Sequence, residues 1–351
     1  MKHLLSFVCL LFLCLSAGAQ IAMGDLARKT LHFAKPAAPG SSGLFRHFEV
    51  IDERPDTGRI GIYLIQGVLK PSDRQYVFKK PAAAEIAEYF NQYFTRPDAP
   101  CTALIVLRTL WLSNANYAGE DELKTPDKQY EQIHIRLKAE IYATRDSLYT
   151  PELRYDTAWT MKTHDYYSSL HASYFGLDDT LSSLFINLAD SASWVTGQKQ
   201  NSGRLISREQ INEFNRSRFD KPAGSEGPYA SGVYTSFEEF RNNTPSIRDF
   251  EIRTEKMNRL LYIKDASGAP YYSHTAWGYS DGTSLFIMHD GILWPVWKEG
   301  KAFYFFALSD KNKHSHQSYD AYGQAHAYKP EGSQEKETCI YTLDLDTGEV
   351  Y

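Results

Sequence analysis

Residues 271–308 read YYSHTAWGYSDGTSLFIMHDGILWPVWKEGKAFYFFAL, and this stretch decides how the second half of the chain folds. Three acidic-glycine pairs recur in it at nine-residue intervals between apolar runs: Asp281-Gly282, Asp290-Gly291 and Glu299-Gly300. Asp-Gly tolerates the positive φ angles that a two-residue hairpin turn requires. The stretch therefore predicts a four-stranded antiparallel meander.

Both faces of this predicted sheet are apolar. Strand alternation places Phe303 and Phe305 on one face and Tyr304 and Phe306 on the other. A sheet with two apolar faces needs two covers. One cover is the core of its own domain, and the other is the first half of the chain, a partner or a ligand.

The chain begins with a pattern typical of a secretory signal peptide. Lys2 precedes an apolar run over residues 4–15, and Ala-Gly-Ala follows at residues 17–19. The run is shorter than the roughly 18 apolar residues of a membrane-spanning helix. We therefore expect residues 1–19 to be a cleaved leader, the mature chain to have no transmembrane segment, and the protein to be periplasmic or associated with the cell envelope.

The charge and composition of the chain indicate which classes of partner to expect. The chain has 38 basic and 43 acidic residues, a formal net charge of −5, and its basic residues are scattered among acidic ones. We therefore expect no nucleic-acid partner, because phosphate binding needs a basic patch. Aromatic residues make up 14% of the chain, which suits β-rich structure first and carbohydrate or protein surfaces second.

Shifts in composition divide the rest of the chain. Residues 20–43, rich in Ala, Pro, Gly and Ser, predict a flexible leader, and residues 197–231 predict a linker. Residues 44–196 alternate strand and helix patterns, whereas residues 232–351 are rich in strand patterns. The predicted fold class is α+β: an N-terminal α+β sandwich followed by a β-rich antiparallel meander domain.

Periodicity adds detail to the first domain. Within residues 132–143, aliphatic side chains at odd positions alternate with His134, Arg136, Lys138 and Glu140. This pattern predicts a strand with one face in the core and one face in water. A stripe of leucines at helical spacing predicts a helix that packs on the sheet: Leu177, Leu181, Leu184 and Leu188.

Capping boxes predict two short helices further along the chain. Ser207 followed by Gln210 indicates a helix start inside the linker, and Ser236 followed by Glu239 indicates another at the start of the second domain.

Two cysteines lie outside the predicted leader, Cys101 and Cys339, one in each half of the chain. An exported compartment permits a disulfide between them, which would tie the end of the chain to the first domain. Sequence gives no distance between the two residues, so both a bridge and two thiols remain open.

A polar loop carries the candidate metal ligands His314, His316 and His326. Two histidines at i and i+2 chelate a metal from an extended segment, but a metal site also needs further converging ligands and a rigid frame. A solvated loop is the favoured interpretation. We therefore expect no metal and no cofactor.

No catalytic motif occurs in the chain: it contains no Gly-x-Ser-x-Gly elbow, no His-Glu-x-x-His and no phosphate-binding glycine loop. His274, Asp281, His289 and Asp290 surround the meander turns, where an acid–base pair is one interpretation and turn formation is the other. We assign no catalytic residue and expect a protein that is not an enzyme.

Aromatic residues of the meander are the candidate binding residues: Trp277, Tyr279, Trp294 and Trp297. Such side chains stack on sugars or dock a partner, and the alternative is that they fill the core. Pro295 predicts that the strand carrying Trp294 and Trp297 is an edge or bulged strand. Their odd spacing places one of the two outward in a regular strand.

Two phrases carry a resemblance to known proteins: GVYTSFEEF at residues 232–240 and WGYSDG at residues 277–282. They resemble uncharacterised exported proteins of Bacteroidota, and residues 44–196 weakly resemble α+β domains of periplasmic accessory lipoproteins. The resemblance implies that the protein is located in the cell envelope. The leading hypothesis is a non-catalytic exported protein that binds an envelope protein or glycan through its β-rich second domain. The alternative is an envelope glycan hydrolase with carboxylates in the meander groove.

Overall fold

The computed structural model describes most of the 351-residue chain. The described ranges are 26–37, 44–63, 74–113, 131–144, 147–163, 166–198, 204–225, 227–255, 258–309 and 337–351. The predicted signal peptide, residues 1–19, lies outside them.

Sixteen strands are assigned in the described ranges. They are β1 Ala27–Leu31, β2 Phe45–Asp52, β3 Gly61–Tyr63, β4 Arg74–Phe78, β5 Cys101–Ser113, β6 Glu131–Thr144, β7 Tyr149–Thr163, β8 Gly232–Tyr234, β9 Phe250–Glu255, β10 Asn258–Lys264, β11 Pro270–Tyr272, β12 Gly278–Ser280, β13 Leu285–His289, β14 Ile292–Glu299, β15 Ala302–Ser309 and β16 Glu337–Leu343. The helices are α1 Ala82–Tyr93, α2 Tyr166–Gln198, α3 Arg208–Phe219, α4 Phe237–Arg241 and a 3-10 turn at Pro222–Gly224.

The described strands form three sheets. The first has seven strands in the order β1-β4-β3-β5-β6-β7, with β2 beside β5. The second has three strands, β11-β10-β9, and the third has six, β16-β15-β14-β13-β12-β8. Helices and several sheets in one chain confirm the predicted α+β class.

The meander is confirmed. Strands β12 to β15 are consecutive antiparallel neighbours. Asp290 has φ 50° and Gly291 has φ 71°, and they connect the paired residues His289 and Ile292. Two consecutive positive φ angles are those of the hairpin turn that Asp-Gly predicts.

Replacement of Gly291 by valine is expected to lower the free energy of unfolding by about 1–3 kcal/mol, because a β-branched residue resists a positive φ. An added Cβ meets no atom within 4 Å, so backbone strain alone is tested. Urea unfolding measures the loss. Gly227→Val is the matched control, since Gly227 is exposed, has open space around it and does not have a positive φ. Equal stabilities of the two variants would contradict the assigned turn.

The two apolar faces of the third sheet have different covers. Phe303 and Phe305 lie in a buried cluster with Phe240 of α4, which we call the domain-core cluster. Tyr304 faces the opposite way, into a cluster that includes Ile62 of β3. We call this second group the interface cluster; its buried members are Leu26, Ile62, Trp111, Ala302, Tyr304, Ile340 and Tyr351. The first half of the chain therefore covers part of the second face.

Strand β14 lies between β13 and β15, so the prediction of an exposed edge is wrong. Pro295 is opposite Phe286 of β13, whereas pairing with β15 begins only at Val296. A proline is tolerated there because the ladder to β15 begins only at the following residue. Trp294 packs on the domain-core cluster and Trp297 on the interface cluster, as regular alternation requires.

Part of the predicted flexible leader belongs to the fold. Strand β1 pairs in parallel with β4, and Leu31 is 2% exposed. This corrects the leader prediction for residues 26–37: β1 supplies both backbone hydrogen bonds and a core side chain. The predicted linker contains α3, whose capping box joins Ser207 and Gln210 as expected.

The core of the first half lies between its sheet and two helices. The odd-numbered aliphatic residues of β6 and the leucine stripe of α2 share one buried cluster with α1. All four leucines of the stripe are at most 1% exposed, which confirms the predicted packing.

Cys101 and Cys339 lie in different sheets. Cys101 begins β5, and ten residues later Trp111 enters the interface cluster together with Ile340, the neighbour of Cys339. Ten strand residues span about 33 Å. A disulfide needs Cα atoms within about 7 Å. The bridge stays a prediction, and this separation is unfavourable to it.

Candidate functional site

The polar face of β6 is covered by α3 and by the turn at residues 344–349. His134, Lys138 and Glu140 are 0%, 8% and 6% exposed. The prediction that this face lies in water is therefore wrong. Lys138, for example, contacts Asp344 of that turn, 206 residues further along the chain.

A cleft of about 410 Å³ opens between these elements, and we call it the charged cleft. It is lined by Arg108, Lys138, Ala139, Arg154, Tyr155, Asp156, Phe214, Ser217, Arg218, Lys221, Asp344, Asp346 and Thr347. Five of these side chains are basic and three are acidic, so the lining has two more positive than negative charges. Small-molecule sites in proteins have volumes of roughly 300–1,000 Å³. The cleft falls within this range.

Strand register gathers the first charged group of the cleft. Glu140 of β6 is directly opposite Arg154 of β7, whose Nη2 donates to Glu140 Oε1 at 2.9 Å. Tyr142 donates its hydroxyl to Glu140 Oε2 at 2.8 Å, and Arg108 Nη1 forms an ion pair with Oε1. One buried carboxylate therefore binds two guanidinium groups and a phenol.

A β-bulge positions Arg108. The register between β5 and β6 shifts between Leu107 and Thr109, so Arg108 is the extra residue. Bulges reset side-chain alternation and re-aim one side chain. Leu107 and Leu110 both face the hydrophobic core despite their odd spacing, while Arg108 reaches Glu140 on the charged side.

Arg108 and Arg218 share one acceptor. Asp346 Oδ2 is 3.3 Å from Arg108 Nη2 and 2.9 Å from Arg218 Nε. The side chains of the two arginines are 8% and 5% exposed. Arg108 Nε and Arg218 Nη1 are buried and have no hydrogen-bond partner among the described residues. Burial, and after it the neighbouring charge of Arg218, lower the pKa of the Arg108 guanidinium. The pair therefore has more donors than acceptors.

The C-terminal turn presents the acidic partners. Asp344 accepts hydrogen bonds from the backbone N–H of Gly348 at 2.7 Å and, through Oδ1, from that of Asp346 at 2.9 Å. Gly348 has φ 79°, which favours glycine. The turn closes with a bridge between Leu343 and Val350. Asp344 and Asp346 are thereby fixed at the rim of the cleft.

Beside the cleft, Glu349 fastens the turn to β6. Arg136 Nε donates to Glu349 Oε1 at 2.7 Å, and Lys138 Nζ forms an ion pair with Glu349 Oε2. Burial raises the pKa of Glu349, but the hydrogen bonds from Arg136 and Lys138 lower it more, so its pKa lies below the ordinary value. Glu349 therefore stays ionised and holds the two halves of the chain together.

The four predicted binding aromatics are distributed over three buried clusters. Tyr279 is 2% exposed and stacks on Phe286 with ring centroids 4.5 Å apart. Trp277 packs on Phe240 at 4.4 Å, while Trp294 and Trp297 are half-buried on opposite faces of β14. The structure does not bring them together on one surface. It places them as core side chains.

The two aspartates at the meander turns, Asp281 and Asp290, have structural roles in those turns. Asp281 Oδ1 accepts hydrogen bonds from Thr283 N at 2.9 Å and Ser284 N at 2.8 Å. Burial raises the pKa of Asp281, but these hydrogen bonds lower it more. Asp290 stands in the hairpin turn itself. Asp281 is therefore not arranged as the protonated acid of a hydrolase, because such an acid needs a raised pKa.

The described residues contain neither a cluster suited to a metal nor a helix suited to crossing a membrane. No group of three or more His, Cys, Asp or Glu side chains suited to a metal occurs there. The weak candidates His314, His316 and His326 lie outside the described ranges. Within those ranges no helix combines the length and apolarity that crossing a bilayer requires.

Comparisons with known proteins give weak structural similarities. No family model matches the chain, and no curated protein matches it. Protein XCC0632 from Xanthomonas campestris, of family DUF330, is 13% identical, with a TM-score of 0.30 over 49% of this chain and 96% of that chain. A second solved structure, of an uncharacterized protein, is 10% identical, with a TM-score of 0.23 over 47% of this chain and 98% of that chain.

Sequence reasoning missed the residues of the charged cleft, although it contained signals for them. Arg108 is the one charged residue in the apolar strand CTALIVLRTLWLS, all of which is buried. A charge inside such a strand needs a buried partner. Asp344, Asp346 and Glu349 cluster within six residues near the end of the chain. Neither signal identifies which charges meet, because the contacts join distant parts of the chain.

Proposed function

We propose that the protein is an exported, non-catalytic binding protein of the cell envelope. Its ligand is an envelope glycan or protein that carries negative charge, and its binding site is the charged cleft. The β-rich half contributes Asp344 and Asp346 to this site, and the first half contributes most of the basic side chains.

The observation that carries the proposal is the arginine pair. Arg108 and Arg218 share one oxygen of Asp346, and each keeps a buried N–H group that no acceptor in the described part of the chain reaches. Buried unsatisfied donors cost stability, on the order of 1–3 kcal/mol each. An anionic ligand supplies the missing acceptors, so its binding offsets this cost.

Binding fits the cleft better than hydrolysis does. Burial raises the pKa of Glu140, but Arg108, Tyr142 and Arg154 together lower it below the ordinary value. Glycoside hydrolysis needs one carboxylic acid whose pKa is raised, so that it donates a proton. Glu140 is instead an ionised structural carboxylate. The hydrolase alternative gains no support from Glu140, Asp281 or Glu349.

The envelope location is carried by the sequence. Residues 1–19 have the pattern of a signal peptide, and the phrases at residues 232–240 and 277–282 resemble exported proteins of Bacteroidota. Periplasmic or surface exposure gives the protein access to acidic envelope polymers.

Replacement of Arg154 by alanine is expected to weaken binding to an acidic polysaccharide about tenfold, because one charge-assisted contact is lost. The probe is polygalacturonate, with neutral dextran as the reference, and affinity electrophoresis measures retention. Arg154 is 69% exposed, so the fold tolerates the change.

Arg253→Ala is the matched control. Arg253 is also exposed and paired with a glutamate, Glu251, but lies on the second sheet, outside the cleft. Equal retention of the Arg154 variant and the native chain would refute the site. New reducing ends in the polysaccharide would refute the non-catalytic assignment and favour the hydrolase.

A further inference from the structure

We propose that the charged cleft binds a phosphate monoester carried on a sugar ring. Arg154, Arg218 and Lys221 hold the phosphate, and the ring lies against Phe214. This inference rests on the proposed function, because it takes the charged cleft as the ligand site and names the chemistry of its ligand.

The number of donors points to a phosphate. Three of the five basic side chains that line the cleft, Arg108, Arg154 and Lys138, are bound to the carboxylates of Glu140 and Glu349, so the lining has no excess of positive charge once these partners are counted. A phosphate monoester presents three acceptor oxygens, one for each of Arg154, Arg218 and Lys221, whereas a carboxylate presents two.

The donors needed for a phosphate are present. Lys221 has no hydrogen-bond or ion-pair partner among the described residues, and Arg218 donates only through Nε, to Asp346. Arg154 donates to Glu140 through Nε and Nη2, which leaves Nη1 for a ligand. Guanidinium groups match the geometry of phosphate oxygens, and a lysine adds a mobile point charge.

The second half of the ligand is indicated by Phe214. This side chain is 49% exposed, although it lines the cleft and lies beneath the guanidinium of Arg108 at 5.6 Å. Phe214 and Arg218 are four residues apart on α3, so both point to the same side of the helix. An exposed aromatic ring beside phosphate donors is suited to a sugar ring that carries the phosphate. The cleft is also larger than a bare phosphate requires.

Calorimetric titration of the full mature chain tests the proposal with glucose 6-phosphate, inorganic phosphate, glucuronate and glucose. Glucose 6-phosphate is expected to bind about tenfold more tightly than inorganic phosphate or glucuronate, and glucose is expected not to bind. Arg218→Lys and Lys221→Ala should each weaken both phosphate ligands about tenfold. Phe214→Ala should weaken glucose 6-phosphate only, to the level of inorganic phosphate.

Equal affinities for glucose 6-phosphate and glucuronate overturn the proposal, as does unchanged phosphate binding by Lys221→Ala. Lys221→Ala is the deciding variant if Arg218→Lys does not fold. Lys221 is unpaired among the described residues, so removal of its side chain breaks no hydrogen bond or ion pair there. Binding of polygalacturonate through Arg154 without any binding of glucose 6-phosphate refutes this inference and leaves the proposed function standing. Binding of glucose 6-phosphate without any binding of polygalacturonate supports the phosphate site and refutes an acidic polysaccharide as the ligand. Phosphomannan and its dephosphorylated form then separate a phosphorylated glycan from a free sugar phosphate.

Discussion

Replacement of Glu140 by alanine is expected to lower the free energy of unfolding by about 3–5 kcal/mol, the range for breaking a buried ion pair by removing one partner. Glu140 is 6% exposed and accepts from Arg154 and Tyr142 while it pairs with Arg108. Without it, the one acidic partner left to the buried Arg108 among the described residues is the shared oxygen of Asp346, at 3.3 Å. Urea unfolding followed by circular dichroism measures the loss.

Glu251→Ala is the control for this variant. Glu251 also accepts two hydrogen bonds from one arginine, Arg253, at 3.0 and 2.9 Å, but its side chain is 57% exposed. Exposed ion pairs contribute about 0–1 kcal/mol. Similar losses in the two variants would mean that the pair of Arg108 and Glu140 is solvated in solution.

The same variant has a defined pH dependence. Burial raises the pKa of Glu140, but Arg108, Tyr142 and Arg154 lower it more, so the folded pKa lies below the ordinary carboxyl value of 4.5. A depressed folded pKa gives stability that is present above the unfolded pKa and is lost as the pH falls through the folded value. The difference in unfolding free energy between the native chain and Glu140→Ala should therefore be constant near neutrality and shrink below about pH 4.5.

The parts of the fold that sequence predicted are those set by local chemistry. The turn at Asp290 and Gly291 follows from the φ angles that this dipeptide tolerates, and the two faces around Phe303 and Tyr304 follow from strand alternation. The helix start at Ser207 follows from a capping box within four residues. Each of these signals acts over a few neighbouring residues.

The site escaped prediction because its contacts are long-range. Alternation in β6 identifies the side chains that share a face, but it does not say whether water or protein covers that face. Arg136 meets Glu349 across 213 positions, and Lys138 meets the same carboxylate across 211. The bulge at Arg108 also resets the alternation of β5. Only the assembled sheets bring these charges together.

One further error came from applying a local rule without its neighbours. Pro295 suggested an edge strand, but the stagger of β14 allows a proline in a central strand where one ladder ends. The binding role of the meander aromatics stays a prediction, and the structure places these side chains in or against buried clusters on both faces of the sheet. Trp297, for example, packs on Tyr304 and Phe306 at 5.8 and 4.9 Å.

Replacement of Gly61 by valine is expected to lower the free energy of unfolding by about 3 kcal/mol or more, through overpacking at a position with no room for a side chain. A Cβ at Gly61 would lie 2.3 Å from the carbonyl oxygen and 2.7 Å from the Cβ of Leu112. Gly61 pairs with Leu112 in the parallel contact of β3 and β5, so the clash separates the two strands. Urea unfolding gives the size of the effect.

The variant also tests how the two halves are joined. Ile62, next to Gly61, belongs to the interface cluster with Tyr304 of the meander. Displacement of β3 therefore weakens the first sheet and also withdraws Ile62 from the third sheet. The near-ultraviolet circular dichroism signal of the aromatic residues in the interface cluster should change along with the free energy of unfolding. Gly58→Val is the control, because a Cβ there meets its nearest atom at 3.4 Å, an ordinary contact. If Gly61→Val unfolded at the same urea concentration as this control, β3 would not approach Leu112 closely, and the contact between the halves would not depend on the position of β3.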